Sequence, residues 1–422
     1  MTETSPGGPP IILHIGPFKT GTTTLQLALG QNRPVLREQG VIYPGRLDHE
    51  LSAATAAASG KVGPGRDLKA STDRWFGMLD EIRTADARLG ILSSEYYCEA
   101  RSKRIHWLID QLGPQSQVVI TLRPLAKIIG SQWQQSTQNQ ATVSWDDWLR
   151  AILVEPEPGQ IASAFWAKHR HDLLLRRWLD VVGPDRVTVV VVDDQQPELI
   201  LRSFEQILAV EPGSLSTSRP RANRSLTVEE VELVRRFNEL YARSGLGAVD
   251  YTTLVRYGAI RFLQSQPVAS DSHRILMPDW AREKVAELSR MIIDDIAASG
   301  ARVIGPIEQL ADPELMPEAG VNPEVRTVSP ELAGTLAAGV VDTMARYHPL
   351  EVPDEVQAPV LTAVLRSNRV AVVHRELQDL QTKVATLESA ISAEKLITEA
   401  NRRDAFDELR RRVRRRLRKL VA

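Results

Sequence analysis

The sequence predicts a three-layer α/β fold in which helices cover both faces of a central, mostly parallel sheet. Short apolar segments at 11–15, 89–92, 117–122 and 186–192 are typical of buried strands, and segments with helical apolar spacing separate them. Strands that alternate with helices in this way lie parallel and are joined by right-handed crossovers. The 422 residues are enough for a sizeable core, and a helical extension is predicted to follow it.

Composition divides the chain into four predicted regions. Residues 1–9 form a flexible N-terminus, 10–300 the α/β domain, 301–360 a proline-rich irregular linker, and 361–422 a helical tail. Helical apolar spacing predicts a single long helix over 161–182, and a further helix is predicted over 330–347 within the linker.

Charge and cysteine content exclude several classes of protein. The net charge of −1 gives the whole chain no attraction to nucleic acid. The single cysteine, Cys98, allows no intramolecular disulfide and suggests no cysteine-based metal site. The N-terminus lacks the features of a signal peptide, and no apolar segment is long enough to span a membrane. We therefore expect a cytoplasmic protein that does not bind nucleic acid.

The segment 11–29, IILHIGPFKTGTTTLQLAL, has the pattern of a strand, a glycine-containing turn and a helix. The first N–H groups of a helix have no intrahelical acceptor, and the helix dipole favours an anion there. A Walker A loop would need a lysine at position 22, but Thr22 stands there and the lysine comes earlier, at Lys19. The loop is therefore P-loop-like, and its expected ligand is a phosphate or a sulfate.

The segment Lys19-Thr20-Gly21-Thr22-Thr23-Thr24 resembles the 5′-phosphosulfate loop of sulfotransferases that use 3′-phosphoadenosine 5′-phosphosulfate (PAPS). Arg123-Pro124 at a strand end, with Ser131 two helical turns later, resembles the 3′-phosphate site of the same family. The likeness covers about 11–210, and the chain resembles the bacterial members of the family that act on carbohydrates or lipids.

This resemblance implies transfer of the sulfuryl group from PAPS to a hydroxyl or amine, by in-line displacement and without a metal. Lys19 would neutralise the sulfuryl oxygens and the leaving phosphate of the product, 3′-phosphoadenosine 5′-phosphate (PAP). The cofactor-binding residues it implies are Lys19, Thr20, Gly21, Thr22, Thr23, Thr24, Arg123, Ser131, Arg221 and Arg224. The acceptor class would be a glycan, a glycolipid or a small metabolite.

Two residues are candidates for the general base, and the sequence does not choose between them. Glu95 follows a predicted strand, as Lys19 and Arg123 do, so all three are expected at the carboxyl edge of the sheet, where such folds bind ligands. His49 follows Tyr43-Pro44 and could reach an acceptor pocket. A packed core position is predicted instead for His14, and structural positions are predicted for His169 and His171. The predicted positions in the core or in a pocket wall are those of Trp133, Trp145 and Trp148.

The tail adds hypotheses of its own. Apolar residues at heptad spacing over 377–391 favour a short coiled coil and a homo-oligomer. The segment 409–420 has the pattern of a basic amphipathic helix, and 402–422 holds ten basic and three acidic residues. This pattern predicts contact with an anionic surface at the inner face of the membrane.

Two alternatives to a sulfotransferase remain: a P-loop-like kinase or NTPase, and a non-catalytic scaffold that works through its basic tail.

Overall fold

The computed structural model describes residues 8–347 except 64, 156–158, 194, 195, 197 and 218–223. The described residues up to 339 belong to one compact unit, and 340–347 belong to a second. The predicted coiled-coil segment 377–391, the basic segment 409–420 and Arg221 lie outside the described residues.

Six parallel strands form a single sheet in the described part of the chain. Their order across the sheet is β2-β3-β1-β4-β5-β6. The strands are β1 Ile11–Ile15, β2 Val41–Ile42, β3 Leu89–Ser94, β4 Gln117–Leu122, β5 Val187–Val191 and β6 Arg302–Ile304. The predicted parallel sheet is thereby confirmed.

Helices flank the sheet and give it the predicted three layers. From the N-terminus they are α1 Thr22–Gln31, α2 Arg33–Glu38, α3 Leu51–Ser59, α4 Leu68–Thr84, α5 Ser102–Leu112, α6 Leu125–Gln138, α7 Trp145–Leu153, α8 Gln160–His169, α9 His171–Val182 and α10 Leu199–Leu208. Further along are α11 Val228–Tyr241, α12 Ala248–Asp250, the π-helix Tyr251–Ala259, α13 Ile260–Ser265, α14 Asp279–Ala297 and α15 Pro330–Tyr347. Short 3₁₀ helices occupy Glu95–Glu99, Pro184–Arg186, Ile307–Ala311 and Pro313–Leu315.

The core forms because the strands are apolar on both faces. On one face, a buried cluster joins residues of α1, α2 and α10 to β1, β3, β4 and β5. On the other, α9 contacts β4 and β5, and α5 and α14 pack against α9. Burial of apolar area on this scale is the main force that stabilises a domain of this size.

The register of β1 determines which residues meet at the site. Ile15, at the end of β1, pairs with Ser94 on β3 and with Ile120 on β4. The loop after β1 therefore lies between the chain that leaves β3 at Glu95 and the chain that leaves β4 at Arg123. This confirms that the three strand ends meet at one edge of the sheet.

The single helix predicted over 161–182 is wrong. It is two helices, α8 and α9, which break at Arg170 with φ −78° and ψ 84°. The Arg170 guanidinium pairs with the Asp172 carboxylate in the first turn of α9 at 2.9 and 2.5 Å. Apolar periodicity continues through the break, so the sequence pattern does not show it.

The structure also adds to the region predicted as a linker. Residues 302–304 form β6, which pairs with β5, so the sheet extends past the boundary predicted at 300. The sequence predicts neither β6 nor the two-residue strand β2, because two or three residues are too few to give an alternating pattern. The predicted helix over 330–347 is confirmed as α15. Among the described residues, none of the helices is both long and apolar enough to cross a membrane.

Candidate functional site

The loop between β1 and α1 is held in an unusual backbone conformation. Lys19 has φ +74° and Gly21 has φ +79°, both in the left-handed region. A lysine adopts this conformation rarely, and such positions cluster at ligand sites. Gly16 cannot carry a side chain, because a Cβ there would lie 2.0 Å from Thr22 Oγ1 and 2.9 Å from Thr121 Oγ1.

The start of α1 leaves backbone donors for a ligand. The N–H of Thr20 donates to the Pro17 carbonyl at 3.2 Å, and that of Thr24 donates to the Gly21 carbonyl at 3.1 Å. Those of Gly21, Thr22 and Thr23 have no acceptor among the described residues. Of the N–H groups of residues 20–24, these three are therefore left for a ligand, at the positive end of the α1 dipole.

A chain of buried hydrogen bonds holds this loop on the sheet. Ser93 Oγ lies 2.7 Å from His14 Nδ1, and His14 Nε2 lies 3.1 Å from Thr121 Oγ1. Thr121 Oγ1 is 3.0 Å from Thr20 Oγ1, which donates to the Pro17 carbonyl at 2.7 Å. Residues on β3, β1 and β4 are thereby connected to the loop through side chains that water barely reaches.

Each hydroxyl in this chain has one proton, so the direction of every bond follows. Because Thr20 donates to a carbonyl, its oxygen accepts from Thr121, and Thr121 in turn accepts from His14 Nε2–H. Complete burial lowers the pKa of His14 to about 3, so the ring is neutral and carries its single proton on Nε2. His14 Nδ1 therefore accepts from the Ser93 hydroxyl. The predicted core position of His14 is confirmed.

Positive charge gathers around the loop. Arg123 Nη1 donates to the Lys19 carbonyl at 3.1 Å, so this arginine helps to fix the left-handed residue. Burial lowers the pKa of Lys19, and the positive charges of Arg123 and Arg256 lower it further. Arg256 lies on the π-helix, and π-helical segments occur often at functional sites.

Both candidate bases lie on the β3 side of the loop. His49 Nε2 is 2.9 Å from Ser94 Oγ and 3.8 Å from Glu95 Oε2. Burial lowers the pKa of His49, although Glu95 and Glu50 oppose the effect. Gln26 of α1 donates from Nε2 to Glu95 Oε2 and to the Ser93 carbonyl, both at 3.3 Å. The structure therefore places Glu95 and His49 together.

An aromatic wall borders these two residues. The rings of Phe18 and Tyr96 meet edge to face with centroids 5.3 Å apart, and the His49 ring lies 6.4 Å from Tyr96. Lys168 Nζ stands 4.3 Å from the centre of the Phe18 ring and forms an ion pair with Glu99 at 3.0 Å. Apolar faces beside a carboxylate and an imidazole suit a ligand that has both an apolar face and a polar group.

The other predicted binding residues differ in how they are placed. The Thr20 side chain is fully buried within the hydrogen-bond chain, whereas Thr23 and Thr24 are exposed in the first turn of α1. Ser131 is partly exposed on α6, the helix that follows Arg123. Arg224 pairs with Glu230 through two 2.7 Å bonds and also donates to backbone carbonyls, which gives it a structural role at the start of α11.

Sequence reasoning missed Gln26, Arg256 and Tyr257. Arg256 interrupts an apolar helical segment, and that signal could have identified it. The Arg256 guanidinium lies 4.9 Å from the centre of the Tyr257 ring. Tyr257 also contributes to the raised pKa of Tyr96, for which burial is the main cause. Gln26 gives no such signal, because a glutamine on a helix is usually solvated.

The remaining candidates are structural. His169 and His171 are buried, as predicted, and so are Trp133, Trp145 and Trp148. Trp133 and Trp145 also line a cavity of about 760 Å³ whose walls contain none of the residues of the β1–α1 loop.

Burial raises the pKa of Cys98 to about 12, so the thiol is inert. Among the residues that the structure describes, no group of three or more His, Cys, Asp or Glu could hold a metal ion.

Comparison with known proteins gives structural similarities alone. No protein-family model matches this sequence, and the comparison with curated proteins finds no match. Two solved structures that resemble it are sulfotransferases. One, from Alicyclobacillus acidocaldarius, is 15% identical with a TM-score of 0.38, over 70% of this chain and 97% of that one. The other, the sulfotransferase domain of the Synechococcus PCC 7002 olefin synthase, is 13% identical with a TM-score of 0.28, over 58% and 98%.

The buried hydrogen-bond chain leads to a prediction about stability. The variant Thr121→Val keeps the shape of the side chain but leaves His14 Nε2–H without an acceptor and Thr20 Oγ1 without a donor. We expect the free energy of unfolding to fall by about 1–3 kcal/mol, the usual cost of buried groups left unpaired. Chemical denaturation would measure it. Thr188→Val on β5 is the matched control, and an equal loss in both variants would contradict the assigned chain.

Proposed function

We propose that this protein transfers the sulfuryl group of PAPS to a hydroxyl or amine of an acceptor. The observation that supports this most strongly is the arrangement at one edge of the sheet. A loop with a left-handed lysine and unused N–H donors lies beside a glutamate–histidine pair. The loop suits an anionic group, and the glutamate–histidine pair suits removal of a proton from an acceptor.

The residues present fit the nucleotide. The N–H groups of Gly21, Thr22 and Thr23 would hold the 5′-phosphosulfate, since they lack acceptors among the described residues. Arg123 would bind the 3′-phosphate, with Ser131 as a second donor on α6. Arg256 would add a third positive charge beside Lys19 and Arg123.

The chemistry follows from these roles. Glu95 would accept the proton of the acceptor hydroxyl, whose oxygen forms the new bond to sulfur as the bond from sulfur to the bridging phosphate oxygen breaks. Lys19 would neutralise the charge that develops on that leaving oxygen, so that PAP departs with the electron pair of the broken bond. We assign Glu95 as the base and His49, whose Nε2 lies 3.8 Å from Glu95 Oε2, as the residue that would hold it.

The aromatic wall of Phe18 and Tyr96 supports an acceptor with a flat apolar face, such as a sugar ring. A glycan or glycolipid has that face together with hydroxyls that can accept the sulfuryl group.

A kinase or NTPase is less well supported, because Thr22 occupies the position of the Walker lysine. Calorimetry with PAP and with ATP–Mg²⁺ separates the two functions: we expect tight binding of PAP and weak binding of ATP.

Lys19→Met should retain the fold and the aliphatic stem but remove the charge. We expect turnover to fall by on the order of 10²- to 10³-fold, the scale for loss of one transition-state donor. The assay is transfer from labelled PAPS to fractions of a host extract. Lys69→Ala removes an exposed lysine of α4 and is the matched control. Turnover near that of the wild type would exclude the proposed role of the loop.

Glu95→Gln should keep the shape and the contact with Gln26 but remove the ability to take a proton. We expect turnover to fall by roughly 10²- to 10⁴-fold with little change in PAP affinity. His49→Gln provides the comparison, with a smaller loss expected. If His49→Gln instead gives the larger loss, then His49 is the base and Glu95 the residue that holds it.

Arg123→Ala should weaken PAP binding more than AMP binding, because AMP lacks the 3′-phosphate. The ratio of the two affinities is the measurement, since loss of the Arg123 bond to the Lys19 carbonyl disturbs the loop equally for both nucleotides. We expect this ratio to fall roughly tenfold to 100-fold, the effect of a charged hydrogen bond. An unchanged ratio would mean that Arg123 acts through the loop alone.

A further inference from the structure

Gln26 is a buried amide that joins the nucleotide loop to the candidate base. It lies on α1, one turn after Thr22, and is only 4% exposed. Both hydrogens of its Nε2 are used, one by the Ser93 carbonyl and one by Glu95 Oε2, each at 3.3 Å. Two acceptors on the same nitrogen determine the orientation of the amide, because its oxygen would repel both of them.

The two contacts of Gln26 differ in what they hold. The bond to the Ser93 carbonyl fixes the amide to the end of β3, at the same residue whose hydroxyl begins the buried hydrogen-bond chain. The bond to Glu95 then restrains a carboxylate that also lies 3.8 Å from His49 Nε2. A side chain held by packing and hydrogen bonds keeps a reacting group in its productive geometry.

We propose that Gln26 is the positioning residue for Glu95 in sulfuryl transfer, so that the helix that binds the nucleotide also orients the base. The inference rests on the proposed function. Because α1 begins with the N–H groups assigned to the 5′-phosphosulfate, any shift of the loop moves Gln26 as well. The carboxylate is therefore aligned relative to the sulfuryl group through one rigid helix.

Two substitutions remove the donor that holds Glu95. In the variant Gln26→Met, the donor is lost at similar volume, and in Gln26→Glu an oxygen replaces it about 3.3 Å from Glu95 Oε2. Turnover should therefore fall in both variants, by about tenfold in Gln26→Met and by more in Gln26→Glu, whose carboxyl oxygen would repel that of Glu95. His49 and Tyr96 are unchanged in all of these proteins.

The experiment has two readouts on the full chain. The first is calorimetry with PAP, which needs no acceptor. The second is transfer from labelled PAPS, at saturating concentration, to the host-extract fraction that gives most product with the wild type. In Gln26→Met we expect turnover to fall about tenfold and PAP affinity to stay within twofold.

A double-mutant cycle separates positioning from packing. In the Glu95→Gln background, Gln26→Met should cost less than twofold in turnover, because the contact it removes no longer holds a base. Turnover of Gln26→Met within twofold of the wild type, or a tenfold loss that persists in the Glu95→Gln background, would overturn the inference while the PAPS assignment stands. A wild type that binds no PAP would instead refute the proposed function, and chemical denaturation of the same four proteins would still test the contact, since a real contact gives a non-additive loss of stability.

Discussion

The buried hydrogen bond from Thr20 Oγ1 to the Pro17 carbonyl is the contact on which the site depends. It closes the loop, and it fixes the direction of every proton in the chain that runs back through Thr121 and His14 to Ser93. Because burial keeps His14 neutral down to about pH 3, the chain keeps one arrangement across the physiological range. The loop is thus a rigid extension of three neighbouring strands.

This rigidity explains why a lysine can occupy a left-handed position. The strain at Lys19 is offset by the bond from Arg123 to its carbonyl and by the anchored residues on both sides. Gly16 and Gly21 permit the close approach and the second left-handed turn. A loop free to relax would adopt an ordinary turn and would lose the three N–H groups that it presents to a ligand.

Much of this architecture could be predicted from the sequence, because it depends on local patterns. Apolar strands, the displaced lysine and the strand-end positions of Glu95 and Arg123 each follow from short segments and from the topology of parallel sheets. Contacts between distant segments could not be predicted in that way. The approach of Arg256, the amide of Gln26 and the break at Arg170 depend on packing, and periodicity alone does not encode them.

The electrostatics of the site favour a ligand with more than one negative charge. Lys19, Arg123 and Arg256 are near enough that the two arginines lower the pKa of Lys19 beyond the effect of burial. A lowered pKa in the folded state means that folding disfavours the protonated lysine, and this cost declines to zero only as the pH rises past the pKa that Lys19 has in the unfolded chain. An anion removes that cost, since it restores the charged form to a favourable setting. The nucleotide proposed above, with a phosphosulfate at one end and a phosphate at the other, carries charge of the sign opposite to that of these three side chains.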